Sequence, residues 1–386
     1  MAGDRLMAGE AIRAAAGISI DWCTADRVPV LQSLIDSHWR KGHILARDAD
    51  LLRWQYRHPS NPERLSVLLA EHNGQPVGML GLIPSGFCVR GARIPGAWLA
   101  MWLTVPEWRP RMLGLRLLRQ LFVGDYGMIG VLGVNQETTG AIYQTLGFTA
   151  CDVVPRWVHA TSPEALANLV ADSPERYSAA ARAAWAASAR RPPTGATARL
   201  AGWDQETAAR WDGAWHQRFA PQLVGTWRDA AYLRWRYVDH PRFQYHLRFI
   251  EDPSDGALAG LLVYRIEKVR DRSESVLRVV EFLTTAAVGA ALAHVVLDVG
   301  HAAQVTFMDF FCTSTASAPY LEAVGFVRED AMPAPLPSRF QPLDFNHTQL
   351  NGVFWMSPAV AGNGHACFES PAFYVTRADG DQDRPS

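Results

Sequence analysis

The chain has 386 residues, enough for two domains of roughly 150 to 200 residues that each bury a core. Its 37 Lys+Arg against 38 Asp+Glu give a formal charge of −1, which excludes the global positive field that a long nucleic acid needs. The five cysteines, Cys23, Cys88, Cys151, Cys312 and Cys367, are odd in number, widely spaced and without a CxxC pair, which argues against a disulfide framework or a zinc knuckle.

A reducing cytoplasm fits that cysteine usage. The amino terminus has no apolar core of signal-peptide length, and no stretch reaches the roughly 18 uncharged apolar residues that a bilayer requires, so the reading is of a soluble protein.

In chain order, GISIDWCT reads as a strand and ADRVPVLQSLIDSHWR carries apolar residues at helical spacing. DADLLRWQYRHP then places Leu51, Leu52 and Tyr56 on one helical face, with Asp48 as N-cap and Pro59 as the stop. LSVLLAEH and VGMLGLIP around NGQP form a hairpin signal. GAWLAMWLTV is a strand, LGLRLLRQLF a helix, MIGVLGV a buried strand, ETTGAIYQTL a helix, and GFTACDVVPRWVHA a closing strand. An alanine-rich segment follows and runs into RRPPTGATA, a linker composition.

The second half repeats this order. DAAYLRWRYVDHP echoes the Asp48 segment, with Asp48, Trp54 and Tyr56 falling on Asp229, Trp235 and Tyr237. A hairpin around PSDG, a strand, the helix AVGAALAHVVLDVGHA, the strand QVTFMDFFC and a short helix ending in YLEAVGF complete it, and YLEAVGF echoes YQTLGF. Two long copies indicate duplication of a domain and not an array.

The segment LTVPEWRPRMLGLRLL, from Leu103 to Leu118, carries the chemistry. A strand ends, a loop presents Arg109 and Arg111, and a helix starts at once beside Gly114. Unpaired N–H groups at a helix start, with arginines alongside, suit a pyrophosphate.

This segment resembles motif A of the GNAT acyltransferases: Val105, Pro106, Arg109 and Gly114 match, and Met112 stands where the first glycine is usual. NQETTGAIYQTLGF resembles motif B, with Asn135 at the strand end, Ala141 and Tyr143 on the helix, and Gly147-Phe148 turning into the last strand. The resemblance implies an α/β (α+β) fold of two tandem GNAT-like domains, each a central mixed, mostly antiparallel sheet flanked by helices. The expected division is residues 1–160 for the domain with the acyl-CoA motif, 161–195 for a helical segment and linker, and 196–386 for a degenerate second domain.

The implied activity is N-acyl transfer from acetyl-CoA or another acyl-CoA to a primary amine, without a metal. Leu103, Val105, Arg109, Arg111, Met112, Leu113, Gly114, Leu115 and Asn135 are the implied cofactor-binding residues. Tyr143 is the implied acid for the leaving thiolate, the backbone N–H near Val105 the oxyanion donor, and Glu107 a candidate base. His240 and His365 are the other titratable candidates.

The expected acceptor is a small amine of the nucleotide-linked amino-sugar class. An aminoglycoside, a thiol-pathway intermediate and a non-catalytic binding role are the alternatives, and nucleic acid and membrane are not expected partners. The corresponding junction of the second half, EFLTTAAVGAALAH, has no arginine, so one acyl-CoA site is expected and not two. By counting, Asn135 falls on Thr313 or Cys312. The tail YVTRADGDQDRPS, with aspartates at alternate positions, reads as solvated, the alternative being that it folds over the interdomain cleft and contacts substrate.

Overall fold

The computed structural model describes residues 17–122, 124, 126–189, 199–362 and 365–383, with the side chains of 365 and 366 excepted. The described chain divides into two compact units, one of residues up to 86 with 95–131, the other of residues 87–94 with those from 132 onward.

The first unit is built on strands β1 (Ile18–Thr24), β2 (Arg64–His72), β3 (Gln75–Val89), β4 (Ala92–Thr104) and β5 (Met128–Leu132), adjacent in that order. Strands β1 and β2 pair antiparallel, as do β2 and β3 around Asn73 and Gly74. Those two residues take φ of 50° and 78°, the left-handed pair that a two-residue hairpin demands and that Asn-Gly supplies. Strands β4 and β5 are parallel from Gly96↔Met128 to Leu99↔Val131.

Helix α1 (Val28–His38) has a proline in its first turn and buries Val28, Leu31, Leu34 and Ile35. Helix α2 (Ala49–Gln55) starts at Asp48, whose Oδ1 accepts from the Leu51 N–H at 3.0 Å. Tyr56, fully buried after α2, lies over the bare Cα of Gly81, where a Cβ would sit 2.5 Å from its ring. Helix α3 (Leu113–Arg119) crosses between β4 and β5.

In the second unit, helix α4 (Ala141–Thr145) leads to β6 (Thr149–Cys151), and β7 (Arg156–Ala160) follows. The single closing strand expected from GFTACDVVPRWVHA is thus two short strands in different sheets. Strand β6 pairs with β17 (Gly352–Met356), and β7 joins a seven-stranded sheet. The break falls at Val153-Val154-Pro155, where the proline removes a ladder donor.

Helices α5 (Pro163–Leu169) and α6 (Ala179–Ser188) follow β7, and β8 (Leu200–Ala201), α7 (Gln205–Ala214), β9 (Val224–Thr226) and α8 (Ala230–Leu233) come next. Then come β10 (His246–Glu251), β11 (Leu258–Lys268), β12 (Ser275–Thr284), α9 (Gly289–Ala302), β13 (Phe307–Phe311), α10 (Ala318–Ala323) and β14 (Val327–Arg328). The sheet order is β14-β7-β13-β12-β11-β10-β8. The small hairpin of β15 (Arg339–Phe340) and β16 (Leu343–Asp344) precedes β17, and β18 (Phe373–Tyr374) pairs with β9.

The alanine-rich segment is core-forming: Leu166, Leu169, Tyr177 and Trp185 share a buried cluster with Val158, Val276 and Phe307. RRPPTGATA lies outside the described residues.

The duplication is visible in backbone geometry. Asp229 caps α8 as Asp48 caps α2, its Oδ1 accepting from the Tyr232 N–H at 2.9 Å. Strands β12 and β13 are parallel like β4 and β5, with an α-helix between them, and their last pair is Val279↔Phe310. Beyond the last pair, β4 continues to Thr104 and β12 to Thr284, so each strand outruns its parallel partner by the same length. Just after, the Val105 N–H donates to Val77 O at 3.0 Å, and the Thr285 N–H to Ala259 O at 2.9 Å. Equivalent positions in the two junctions are therefore 180 residues apart.

Candidate functional site

In the first unit, β4 past Leu99 has β3 on one side and no β5 partner on the other. Such an edge offers N–H and C=O groups to an extended ligand. The strand leads through one 3₁₀ turn, Pro106–Trp108, into the arginine loop and α3.

Arg109 and Arg111 are exposed there. Arg109 Nε donates to Thr104 O at 3.1 Å, and the Arg111 guanidinium lies 4.5 Å from the centre of the Trp108 ring. Trp108 is buried, with His72 4.8 Å away, so Arg111 rests on a fixed aromatic platform.

Met112 has φ 57° and ψ 25°. It holds the left-handed conformation for which glycine is the usual residue, so the departure from motif A is a change of side chain and not of backbone path. Its side chain is 60% exposed.

The Met112 N–H is spent on Arg109 O, and the Arg116 N–H on Met112 O. The first-turn N–H groups of Leu113, Gly114 and Leu115 have no hydrogen-bond acceptor among the described residues, as expected of a helix start without a side-chain cap. Gly114 is packed from below: a Cβ there would lie 3.1 Å from the Trp102 indole and 3.2 Å from Thr104 Oγ1. The indole N–H of Trp102 donates to Gly114 O at 3.1 Å and ties the helix start to the strand. Leu113 is fully buried and Leu103 nearly so; they build the loop from beneath through their side chains. Leu115 is half-buried and Glu107 exposed.

One assignment changes. The Val105 N–H is committed to Val77 O and is not free to meet an oxyanion. Since backbone groups alternate along a strand, the groups of Trp102 and Thr104 face the open side instead. The second unit supports that alternation, because the N–H of Phe282, 180 residues on from Trp102, donates to a side-chain oxygen and not to a strand.

In the second unit, Asn135 is exposed, and its Oδ1 caps the following turn by accepting from the Thr138 N–H at 3.1 Å. Its amide nitrogen is the donor it can offer a ligand. Tyr143 is 3% exposed and packs edge-on against Phe148 at 5.1 Å. Burial raises its hydroxyl pKa well above the ordinary tyrosine range, which keeps it protonated.

His240 does not hold the role of a base. It is buried, its Nδ1 accepts from the N–H groups of Arg242 (3.1 Å) and Phe243 (2.9 Å), and burial, followed by Arg236, pushes its pKa down to about 3. The side chain of His365 lies outside the described residues.

The equivalent opening of the second unit is filled by the carboxyl-terminal segment, which sequence reasoning took for solvent-exposed. The Tyr374 hydroxyl accepts the Phe282 N–H at 2.9 Å. Thr313, one of the two positions matched to Asn135, donates from Oγ1 to Phe373 O at 2.6 Å, and its N–H donates to Val375 O at 3.0 Å. Cys312, the other, forms an antiparallel bridge with Thr376.

Arg228 anchors the segment, with Nε donating to Glu281 at 2.7 Å and a terminal nitrogen to Asp379 at 2.7 Å. Arg265 binds Asp383 at 2.6 Å, and the Tyr245 hydroxyl donates to the same carboxylate at 2.7 Å. Burial would raise the Asp383 pKa, but Arg265 outweighs it and holds the carboxyl below the ordinary range. At the start of α9, a Cβ on Gly289 would meet the Tyr320 ring at 2.6 Å, so that helix start is covered as well.

Among the described residues no group of His, Cys, Asp and Glu could hold a metal ion, and no helix is long and apolar enough to cross a membrane.

No protein-family model and no curated protein matches the sequence. The fold does match solved structures. A GCN5-related N-acetyltransferase from Anabaena variabilis superposes with a TM-score of 0.57 at 12% identity, over 89% of this chain and 74% of that one. Saccharomyces cerevisiae N-myristoyltransferase with bound myristoyl-CoA gives 0.53 at 12% identity, over 88% and 83%. A GCN5-related N-acetyltransferase from Kribbella flavida gives 0.52 at 14%, over 89% and 72%. The chain therefore has the mixed α/β fold of the GNAT type.

Proposed function

We propose that this protein is an acyl-CoA-dependent N-acyltransferase with one cofactor site per chain, acting on a primary amine. The observation that carries the reading is the stretch of β4 beyond its last pair with β5, which runs into an arginine-flanked helix start whose first-turn N–H groups have no acceptor among the described residues. In this reading the donor lies along Ala100–Thr104, its pantetheine arm toward Thr104 and its acyl group toward Ala100. The pyrophosphate meets the N–H groups of Leu113, Gly114 and Leu115, with Arg109 and Arg111 beside it and Met112 holding the turn.

The amine lone pair attacks the thioester carbonyl carbon, a C–N bond forms, and the oxyanion is stabilised by the Trp102 N–H. Collapse breaks the C–S bond, and the thiolate takes the proton of Tyr143. The proton lost by the amine goes to Glu107, directly or through water. Asn135 contributes its amide N–H to the donor's arm. The duplicated halves are residues 1–160 and 196–386, joined through 161–195, with β7 lent to the second sheet. The acceptor class we assign is the amine of a nucleotide-linked amino sugar, and the cytoplasm is the proposed location.

Calorimetric titration with acetyl-CoA and CoA tests the core of the reading. One site per chain is expected; no binding overturns the enzyme, and two equivalent sites overturn the filled second opening. A panel of a nucleotide-linked amino sugar, an aminoglycoside and simple amines, followed by CoA release, tests the acceptor. Tyr143→Phe is expected to slow turnover by at least tenfold at unchanged CoA affinity, about 1.4 kcal/mol of barrier; an unchanged rate removes Tyr143 from the acid role.

A further inference from the structure

We propose that Trp98 closes the acyl end of this site, so that the donor carries a short acyl chain and not a fatty one. The proposal rests on the acyl-CoA reading above and adds what that reading leaves open, the length of the group transferred. The solved structures of similar fold do not decide it, since they include both acetyltransferases and a protein bound to myristoyl-CoA.

Along β4, Thr104, Trp102 and Ala100 are half-exposed in strict alternation with buried Leu103 and Met101. They form one row on one face of the strand, starting at the arginine loop. Trp98 is next in that row and is 1% exposed, so the row ends against it.

Trp98 stands opposite Gly130 in the parallel register, one step inside the last pair, Leu99↔Val131. A Cβ on Gly130 would lie 2.3 to 2.8 Å from three carbons of the indole. The ring therefore lies flat on the bare backbone of β5 and bridges the two strands at the point where they part. On the opposite face of the same point Leu99 and Val131 are buried, at 3% and 8% exposure. The apex is filled from both sides.

The distance sets the limit. Trp98 and Trp102 are four residues apart, roughly 13 Å at the rise of a strand. The ring sits at the level of Gly130, and van der Waals contact between it and the last acyl carbon takes roughly 4 Å of that. With the thioester carbonyl at the Trp102 N–H, the space left holds an acyl chain of roughly six carbons at most, and a myristoyl chain has to displace the indole. The absence of a side chain at Gly130 is what admits the ring, so Trp98 and Gly130 act together.

The test is a chain-length series of acetyl-, butyryl-, octanoyl- and myristoyl-CoA, with free CoA as reference, measured by calorimetric affinity and by CoA release with an accepted amine. Wild-type protein is expected to bind acetyl- and butyryl-CoA like CoA, and to bind and turn over the octanoyl and myristoyl donors at least tenfold less well. Trp98→Leu, which keeps an apolar core residue, and Trp98→Ala are expected to move the cut-off to octanoyl-CoA.

Wild-type use of octanoyl- and myristoyl-CoA on a par with acetyl-CoA overturns the inference without any variant. An unchanged cut-off in folded Trp98→Leu removes Trp98 as the stop. Failure of free CoA to bind is a different outcome: it overturns the acyl-CoA reading itself.

Discussion

Replacing Asp379 tests whether the carboxyl-terminal segment is a fixed part of the second unit. Its carboxylate, 1% exposed, accepts from Arg228 (2.7 Å), the Thr226 hydroxyl (2.6 Å) and the Thr376 N–H (2.8 Å). The bond between the two charged groups is worth roughly 1.5 to 3 kcal/mol and those from the two uncharged donors about 1 each or somewhat more. That sum agrees with the roughly 3 to 5 kcal/mol lost when one member of a buried pair is removed.

Glu281 still faces Arg228 in the variant, so Asp379→Ala is expected to cost about 4 kcal/mol, and Asp379→Asn, which keeps one acceptor oxygen and so part of the bonding, about half. At an m-value of roughly 3 kcal/mol per M for a unit of this size, the urea midpoint of Asp379→Ala falls by roughly 1 M. Hydrogen exchange should lose protection first at the amides of Thr376 and Phe282, which depend on this anchor directly and through Tyr374. A midpoint within about 0.3 M of wild type, with both amides still protected, would refute the claim that the ion pair holds the segment.

Two further outcomes follow from individual residues. Met112→Gly relieves a left-handed non-glycine residue, worth about 1 to 2 kcal/mol, against about 0.4 to 1 lost to the freer unfolded chain. The variant should be more stable by roughly 0.5 to 1 kcal/mol in urea unfolding with acyl-CoA affinity no weaker; a loss of stability contradicts the strain. His240→Gln should flatten the acid limb of stability. With the folded pKa at about 3 and the ordinary value at 6.5, the unfolded chain binds the extra proton between them, so stability is present above pH 6.5 and falls as pH drops. Between pH 6.5 and 4.5 wild type should lose about 2 kcal/mol more than the variant; parallel profiles would show that His240 does not titrate this way.

The parts of the fold that were legible in the sequence are those fixed by local chemistry. Asn73-Gly74 names its turn because only residues tolerant of positive φ fit it. Asp48 and Asp229 name helix starts because a carboxylate three residues ahead of a free N–H caps it. The arginine loop stands between a strand and a helix start as its residues suggest, and Met112 takes a left-handed backbone there.

Less accessible were features set by partners far along the chain. Asp379 and Asp383 look solvated among glycine and arginine, and their ion partners, Arg228 and Arg265, lie more than a hundred residues earlier. A hint was present: Arg265 and Arg278 interrupt apolar strand sequence, and a charge at a buried strand position requires a counter-charge. The Val105 N–H could not be assigned from sequence either, because its acceptor is set by the register with β3.

The two openings share one backbone plan, so the difference between them lies in what occupies each. In the second unit the donor equivalent to the Trp102 N–H is already taken by the Tyr374 hydroxyl, and the position of Trp98 is held by Arg278, buried and tied to Glu267 at 2.5 Å and to Asp309 at 3.3 Å. An acyl-CoA arm entering there must unseat Tyr374 and release Asp379 from Arg228, a cost of about 4 kcal/mol before any contact is gained. At about 1.4 kcal/mol per tenfold, that lowers affinity by roughly a thousandfold relative to an open edge. The helix start of the first unit, in addition, brings two arginines, Arg109 and Arg111, that the second lacks. On the proposed reading, one cofactor site per chain is then a consequence of the carboxyl-terminal segment, and loosening that segment alone is not expected to create a second one, because the arginines that would hold the phosphates are still missing.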